Sequence, residues 1–221
     1  MKKTALYQFG QIVISILFSL LYRYDVKGME HIPKEGAALL CSNHTALKDP
    51  LFLGIMQKRQ VWFMAKKELF QSKFMAWLLK GLGVFPVARS GGAAAIHRGV
   101  EVLNQGNIVG IFIEGTRSKT GEPLKPKPGV VLLAEETKAP IVPVAIVGPG
   151  GRPPKLFRKT RIRVGEAIPY EALGVEDHST MEMRRISRMV MSRIVTLRDQ
   201  AMQEEGAKKR QGKTTDGPDP Q

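Results

Sequence analysis

The segment Asn43-His44-Thr45-Ala46-Leu47-Lys48-Asp49-Pro50 sets an imidazole and a carboxylate five residues apart. A carboxylate bonded to one imidazole nitrogen fixes the tautomer and supports the positive charge that forms when the other nitrogen takes a proton, so this pair has the makings of a general base. Inside one regular helix, positions five apart diverge by about 140° around the axis, which keeps the two groups from touching. The chain must therefore bend between them. Pro50 favours such a bend: proline suits the first turn of a helix and biases the residue before it toward extended backbone, which makes Asp49 the expected N-cap of a helix starting at Pro50. Taken alone the pair has a blander reading, with Asp49 capping a helix and His44 a satisfied loop residue.

A second pattern, Phe112-Ile113-Glu114-Gly115-Thr116-Arg117-Ser118, follows an apolar run and breaks into small, acidic and basic residues. Glu114 could accept hydrogen bonds from sugar or glycerol hydroxyls, Gly115 permits close backbone approach, and Arg117 offers a planar fork for phosphate. A third, Gly83-Val84-Phe85-Pro86-Val87-Ala88-Arg89, again puts a basic residue after a short apolar stretch. The run Ile141-Val142-Pro143-Val144-Ala145 reads as core strand. His31, His97 and His178 read as structural or solvated. Cys41 falls on an apolar stretch and reads as a small buried hydrophobe, and the chain has neither a Gly-x-Ser-x-Gly elbow nor a Cys/His cluster with zinc spacing. No metal or cofactor is expected.

These residues need a scaffold that gathers them. Short apolar runs at Ala37–Cys41, Val61–Met64, Val84–Val87, Ile108–Ile113, Ile141–Val147 and Lys159–Ile168 alternate with helical spacing over Pro50–Met56, Lys67–Lys80, Gly92–Asn104, Val130–Lys138 and Met181–Met202. Strands alternating with helices predict an α/β fold, a mostly parallel sheet covered by helices. In such sheets ligands bind beyond the carboxyl ends of the strands, where all three patterns fall. Asp25–Gly36 reads as turn-rich and polar, and Glu204–Gln221 as a polar, disordered tail.

The 34 Lys and Arg outnumber 20 Asp and Glu, for a formal charge of +14. That balance attracts a polyanion: anionic lipid, nucleic acid or an acidic carrier protein. Residues 4–22 carry no charge and are mostly apolar, bounded by Lys2-Lys3 and Tyr22-Arg23-Tyr24. The stretch is short and interrupted by Gln8, Gly10, Gln11, Ser15 and Ser19, so an interfacial helix or shallow anchor is expected rather than a full span. No Ala-x-Ala cleavage site follows it, which argues against a signal peptide. The expected organisation is a membrane-associated segment over residues 1–24, an α/β domain over 25–203 and a tail over 204–221, on the cytoplasmic face of the membrane.

Asn-His-x-x-x-x-Asp followed by Phe-x-Glu-Gly-Thr-Arg-Ser, in this order and with the Arg89 and Ile141–Ala145 patterns between and after, resembles the glycerolipid acyltransferases, in particular the 1-acyl-glycerol-3-phosphate (lysophosphatidate) acyltransferases. The resemblance covers roughly residues 26–173. It implies His44 as base and Asp49 as its orienting carboxylate, with Arg89, Glu114, Gly115, Thr116 and Arg117 holding the acceptor's phosphate and glycerol, and Lys66 stabilising charge. It implies lysophosphatidate as acceptor and an acyl-coenzyme A or acyl carrier protein thioester as donor, at a membrane lipid surface. Ala88, before Arg89, departs from a position that is often polar in the family. Two rivals remain: a relative acylating glycerol 3-phosphate or another lipid alcohol, and a non-catalytic basic module for lipid or RNA. An RNA module would more often interleave exposed aromatics with its basic residues, and aromatics are 7% of this chain, so no nucleic acid is expected.

Overall fold

A computed structural model describes residues 5–87 and 92–214. Seven strands form one sheet in the order β1-β7-β6-β2-β5-β3-β4. They are β1 (Asp25–Lys27), β2 (Ala38–Ser42), β3 (Val61–Lys66), β4 (Val84–Val87), β5 (Ile108–Phe112), β6 (Ile141–Val147) and β7 (Arg161–Val164). All neighbouring pairs are parallel except β6 and β7. Those two are joined by a loop without a crossover helix, and the chain returns antiparallel.

β2 and β6 are buried along their whole length, because helices cover both faces. Alternation along β2 sorts the core. Ala38 and Leu40 face α1 (Ala5–Tyr22) and α2 (Asp49–Ile55), packing with Phe18, Tyr22, Phe52 and Leu53. Leu39 and Cys41 face α4 (Gly92–Asn104), α5 (Gly129–Thr137) and α6 (Thr180–Thr214), packing with Leu103, Val131, Ile186 and Val190. α3 (Lys73–Gly81) precedes β4.

The expected α/β architecture holds, with five corrections. Asp25–Lys27 is an edge strand, too short to announce itself in sequence. The single helix expected over Lys67–Lys80 is a 3-10 turn at Lys67–Phe70 and then α3, separated by Ser72 in extended conformation. Asp49 is not an N-cap: Lys48 holds that position and Asp49 is already helical, despite the Pro50 that follows it. Its carboxylate is drawn back onto the preceding turn, which holds its backbone against the usual pre-proline preference.

The fourth correction concerns the tail expected from Glu204, since α6 instead continues to Thr214. Gln203, Glu204, Glu205, Ala207 and the lysines that follow favour helix. Glu204 and Glu205 also pair with Arg163 and Arg161 of β7, and Glu204 reaches Lys27 of β1. Fifth, α1, in the expected membrane-associated segment, does not stand apart from the domain. Phe18 and Tyr22 of α1 meet the Phe52 ring edge-on at 4.7 and 5.3 Å, and the Tyr7 hydroxyl accepts from the Val61 N–H at 3.2 Å.

Candidate active site

Four adjacent parallel strands, β2-β5-β3-β4, end on the same edge of the sheet. His44 and Asp49 follow β2, Glu114 to Arg117 follow β5, and Lys66 closes β3 beside Val87 of β4. Arg89, two residues past Val87, lies outside the described residues.

His44 and Asp49 meet. His44 Nδ1 lies 3.0 Å from Asp49 Oδ2, and this oxygen also accepts the N–H groups of Thr45 at 2.6 Å and Ala46 at 2.7 Å. A carboxylate oxygen accepting two backbone N–H groups is held in one place. Its imidazole partner must then donate from Nδ1, leaving Nε2 as the basic nitrogen. Nε2 makes no hydrogen bond among the described residues. The Asp49 side chain is fully buried and that of His44 is 17% exposed, so the pair is desolvated while the imidazole can still be reached.

Glu114, expected to meet ligand hydroxyls, is tied here to the backbone of the site. It is 2% exposed, and its oxygens accept the backbone N–H groups of His44 at 3.2 Å and of Leu124 at 3.3 Å. Burial pushes its pKa above the usual carboxylate range, against the opposing pull of those two N–H groups. The Ser118 N–H donates to the His44 carbonyl at 2.7 Å. The turn after β2 and the loop after β5 are thus tied together at His44 through both its backbone groups.

A ring stack fixes the imidazole from the other side. Phe112 lies parallel to His44 with centroids 4.0 Å apart, and Phe63 of β3 stacks behind Phe112 at 6.4 Å. This is possible because position 110 is glycine: a Cβ there would sit 2.2 Å from Phe63 Cε1. Asn43 anchors the end of β2, donating to the Ile146 carbonyl at 3.0 Å and accepting its N–H at 2.8 Å.

Beyond this buried frame the loop opens outward. Gly115 turns the chain at φ 64°, and Thr116 and Arg117 are exposed at its tip. The Lys127 side chain lies along Gly115, where a Cβ would come within 3.0 Å of Nζ. Lys66, Arg117 and Lys127 form no ion pair among the described residues. Three cations without carboxylates on one edge suit an anionic ligand. The sequence reading missed Lys127, because Lys125-Pro126-Lys127-Pro128 carries no signal beyond charge. It also missed the Phe112 stack, which depends on how β3 and β5 pair. Cys41 is fully buried and its thiol is pushed far up by that burial, which leaves no thiolate nucleophile there. Among the described residues no group of three or more His, Cys, Asp or Glu is placed to hold a metal.

The site therefore consists of an oriented base at a strand end, facing an exposed cationic loop. A family model described as Acyltransferase matches residues 23–147, a span that contains all of it. The 1-acyl-sn-glycerol-3-phosphate acyltransferase of Bacillus subtilis (strain 168) is 35% identical over 167 residues, which cover 74% of this chain and 82% of that one. The enzyme of the same name from Borreliella burgdorferi is 33% identical over 124 residues, 55% of this chain and 50% of that one. The crystal structure of the 1-acyl-sn-glycerophosphate (LPA) acyltransferase PlsC from Thermotoga maritima superposes with a TM-score of 0.63 at 26% identity, covering 87% of this chain and 78% of that one. Because the match takes in the His44 turn, the Glu114 loop and the sheet that joins them, this chain belongs to the acyltransferase family.

Proposed function

We propose that this chain is a 1-acyl-sn-glycerol-3-phosphate O-acyltransferase that uses His44 as a general base at a membrane surface. The observation that carries the chemistry is the His44–Asp49 contact at 3.0 Å, with Asp49 buried and His44 Nε2 unbonded. The acceptor's 2-hydroxyl gives its proton to Nε2 as its oxygen attacks the thioester carbonyl of the donor. The tetrahedral intermediate expels the donor's sulfur, which takes the proton back from the imidazolium, so His44 ends as it began. Asp49 stabilises the imidazolium in between. No covalent enzyme intermediate is required.

The acceptor's phosphate is assigned to Arg117 and Lys127, with Lys66 at the end of β3, Thr116 beside Arg117, and Arg89 from the sequence pattern. Phosphate contacts are made equally in the ground and transition states, so these groups act mainly on KM. The donor is an acyl thioester of coenzyme A or of an acyl carrier protein, and the net charge of +14 favours either. Membrane association rests on α1, the one helix among the described residues that is long and apolar enough to cross a membrane by length and composition. We place it in the interface of the cytoplasmic leaflet, because one stripe of it packs on the domain while Phe9, Ile12, Ile16 and Leu20 point outward.

The test is transfer of labelled palmitate from each thioester to lysophosphatidate, with glycerol 3-phosphate as parallel acceptor. Label in phosphatidate is expected, and His44→Ala should reduce it by at least about a thousandfold without changing the fold, in line with the loss of a general base and its positioning. Label appearing only with glycerol 3-phosphate would change the acceptor and keep the mechanism. Near-normal transfer by His44→Ala would exclude His44 as the base.

A further inference from the structure

The loop between β6 and β7 carries a feature that the catalytic site does not use. Leu156 is 51% exposed and Phe157 68% exposed, side by side at the tip of this loop. Phe157 sits at φ 58°, a left-handed conformation that is uncommon for a bulky residue and is held here by a hydrogen bond from its N–H to the Leu21 carbonyl of α1. The tip is thereby tied to the C-terminal end of the same helix whose outward face carries Phe9, Ile12, Val13, Ile16, Leu17 and Leu20. Arg152, Lys155 and Arg158 surround it, and none forms an ion pair among the described residues. Arg152 and Lys155 also line a cleft with Lys119 and Thr120, which directly follow the cationic loop of the active site, and with Glu122, which is paired with Arg198.

Exposed apolar side chains ringed by unpaired cations are a poor surface for water and a good one for the boundary of an anionic bilayer: the apolar tips enter the acyl region and the cations stay among the headgroups. We infer that the Leu156–Phe157 tip is a second membrane contact, which inserts into anionic lipid beside α1 and brings the cationic cleft to the headgroup layer. The backbone bond to Leu21 sets the tip at a fixed distance from α1, so the two contacts engage one flat surface together. Two contacts orient the domain on the bilayer, where a single helix would leave it free to roll. The cleft then opens at headgroup level, next to Arg117. The inference rests on the membrane-surface reading above.

The test uses the full chain with an environment-sensitive fluorophore on a single introduced thiol. The native Cys41 is fully buried and does not compete for the label. Three labelled variants are compared on vesicles of phosphatidylcholine and phosphatidylglycerol in equal parts: Phe157→Cys at the tip, Ile16→Cys on α1, and Glu101→Cys on α4, which packs on the opposite side of the sheet. Blue shifts are expected at positions 157 and 16 and none at 101, with the shift at 157 weakened on pure phosphatidylcholine. A shift at 16 without one at 157 overturns the second contact and leaves the membrane reading standing; no shift at either overturns both. As a functional arm, the unlabelled double variant Leu156→Ser/Phe157→Asn should bind these vesicles at least about tenfold more weakly, given the apolar area removed. It should acylate a short-chain, water-soluble acceptor at the wild-type rate. Unchanged vesicle binding overturns the inference.

Discussion

At the scale of single residues, the proposed catalysis depends on how firmly the His44 imidazole is held, and Glu114 accepts the backbone N–H of that residue. In Glu114→Gln one carboxylate oxygen becomes an amide NH2, which faces one of two part-buried backbone N–H groups instead of accepting it; leaving such a donor unsatisfied costs about 1 kcal/mol or more. Because Glu114 acts through the position of His44, kcat should fall by about ten- to a hundredfold with KM little changed, and steady-state kinetics on lysophosphatidate checks this split. The same substitution has a signature in folding. Burial raises the Glu114 pKa in the native state, so between the ordinary glutamate pKa and that higher value the native protein binds more protons than the unfolded chain, and this group's contribution to stability falls as pH rises. Urea unfolding across that window should show the wild-type advantage over Glu114→Gln narrowing as pH increases; a widening gap would contradict the assignment. Gly110→Ala tests the ring stack. Its methyl would drive Phe63 off the strand, an overpacking cost of about 1–3 kcal/mol that should appear as a lower Tm and, through Phe112, as a lower kcat.

At the scale of elements, the sequence carried the strands and helices whose burial repeats over many residues. β2, β5, β6 and α4 lie close to where apolar runs and helical spacing place them. It also carried the meeting of His44 and Asp49, since a pair five apart can meet only outside one regular helix, although the bend falls before Asp49 and not at it. What it could not carry depends on partners far away in the chain. β1 is three residues long and exists because β7 pairs with it, and the last turns of α6 exist partly because of Arg161 and Arg163. Nothing local to Glu114 says that its oxygens will accept the N–H groups of His44 and Leu124. A chain ending at Gln203 measures the α6 ties. The Arg161 and Arg163 side chains are only 6% and 5% exposed, and Arg161 would lose its carboxylate outright. Stranding a mostly buried cation costs several kcal/mol, and scanning calorimetry should show a Tm lower by roughly 5–10 °C. Arg163 holds the Glu204 carboxyl below the usual range, so its stabilisation is present above the ordinary glutamate pKa and is lost as pH falls through the depressed value. On acidification the full chain should therefore lose more stability than the shortened one.

At the scale of the whole molecule, the membrane-surface proposal has α1 serve two solvents, and its two faces should then respond to substitution independently. Tyr7, Phe18 and Tyr22 share one side of a helix that advances about 100° per residue, and they are buried against α2 and the sheet. Ile12, Ile16 and Leu20 lie on the opposite side and are 59–70% exposed. A helix that only anchored the domain would tolerate changes on the inner face, and a helix that only completed the core would tolerate them on the outer face. Phe18→Ala removes a ring packed edge-on against Phe52 and should cost about 3–5 kcal/mol of folding stability, while vesicle binding by the folded protein stays near wild type. The triple variant Ile12→Ser/Ile16→Ser/Leu20→Ser should keep its Tm within a few degrees and lose most of its binding to anionic vesicles. What binding remains would come from the Leu156–Phe157 tip and the net charge of +14, and the electrostatic part should fall as added salt shortens the screening length below about 8 Å. Thermal melts and vesicle sedimentation on the two variants separate the roles. If both lose stability and membrane binding together, α1 acts as one inseparable unit, and the two-faced assignment is wrong.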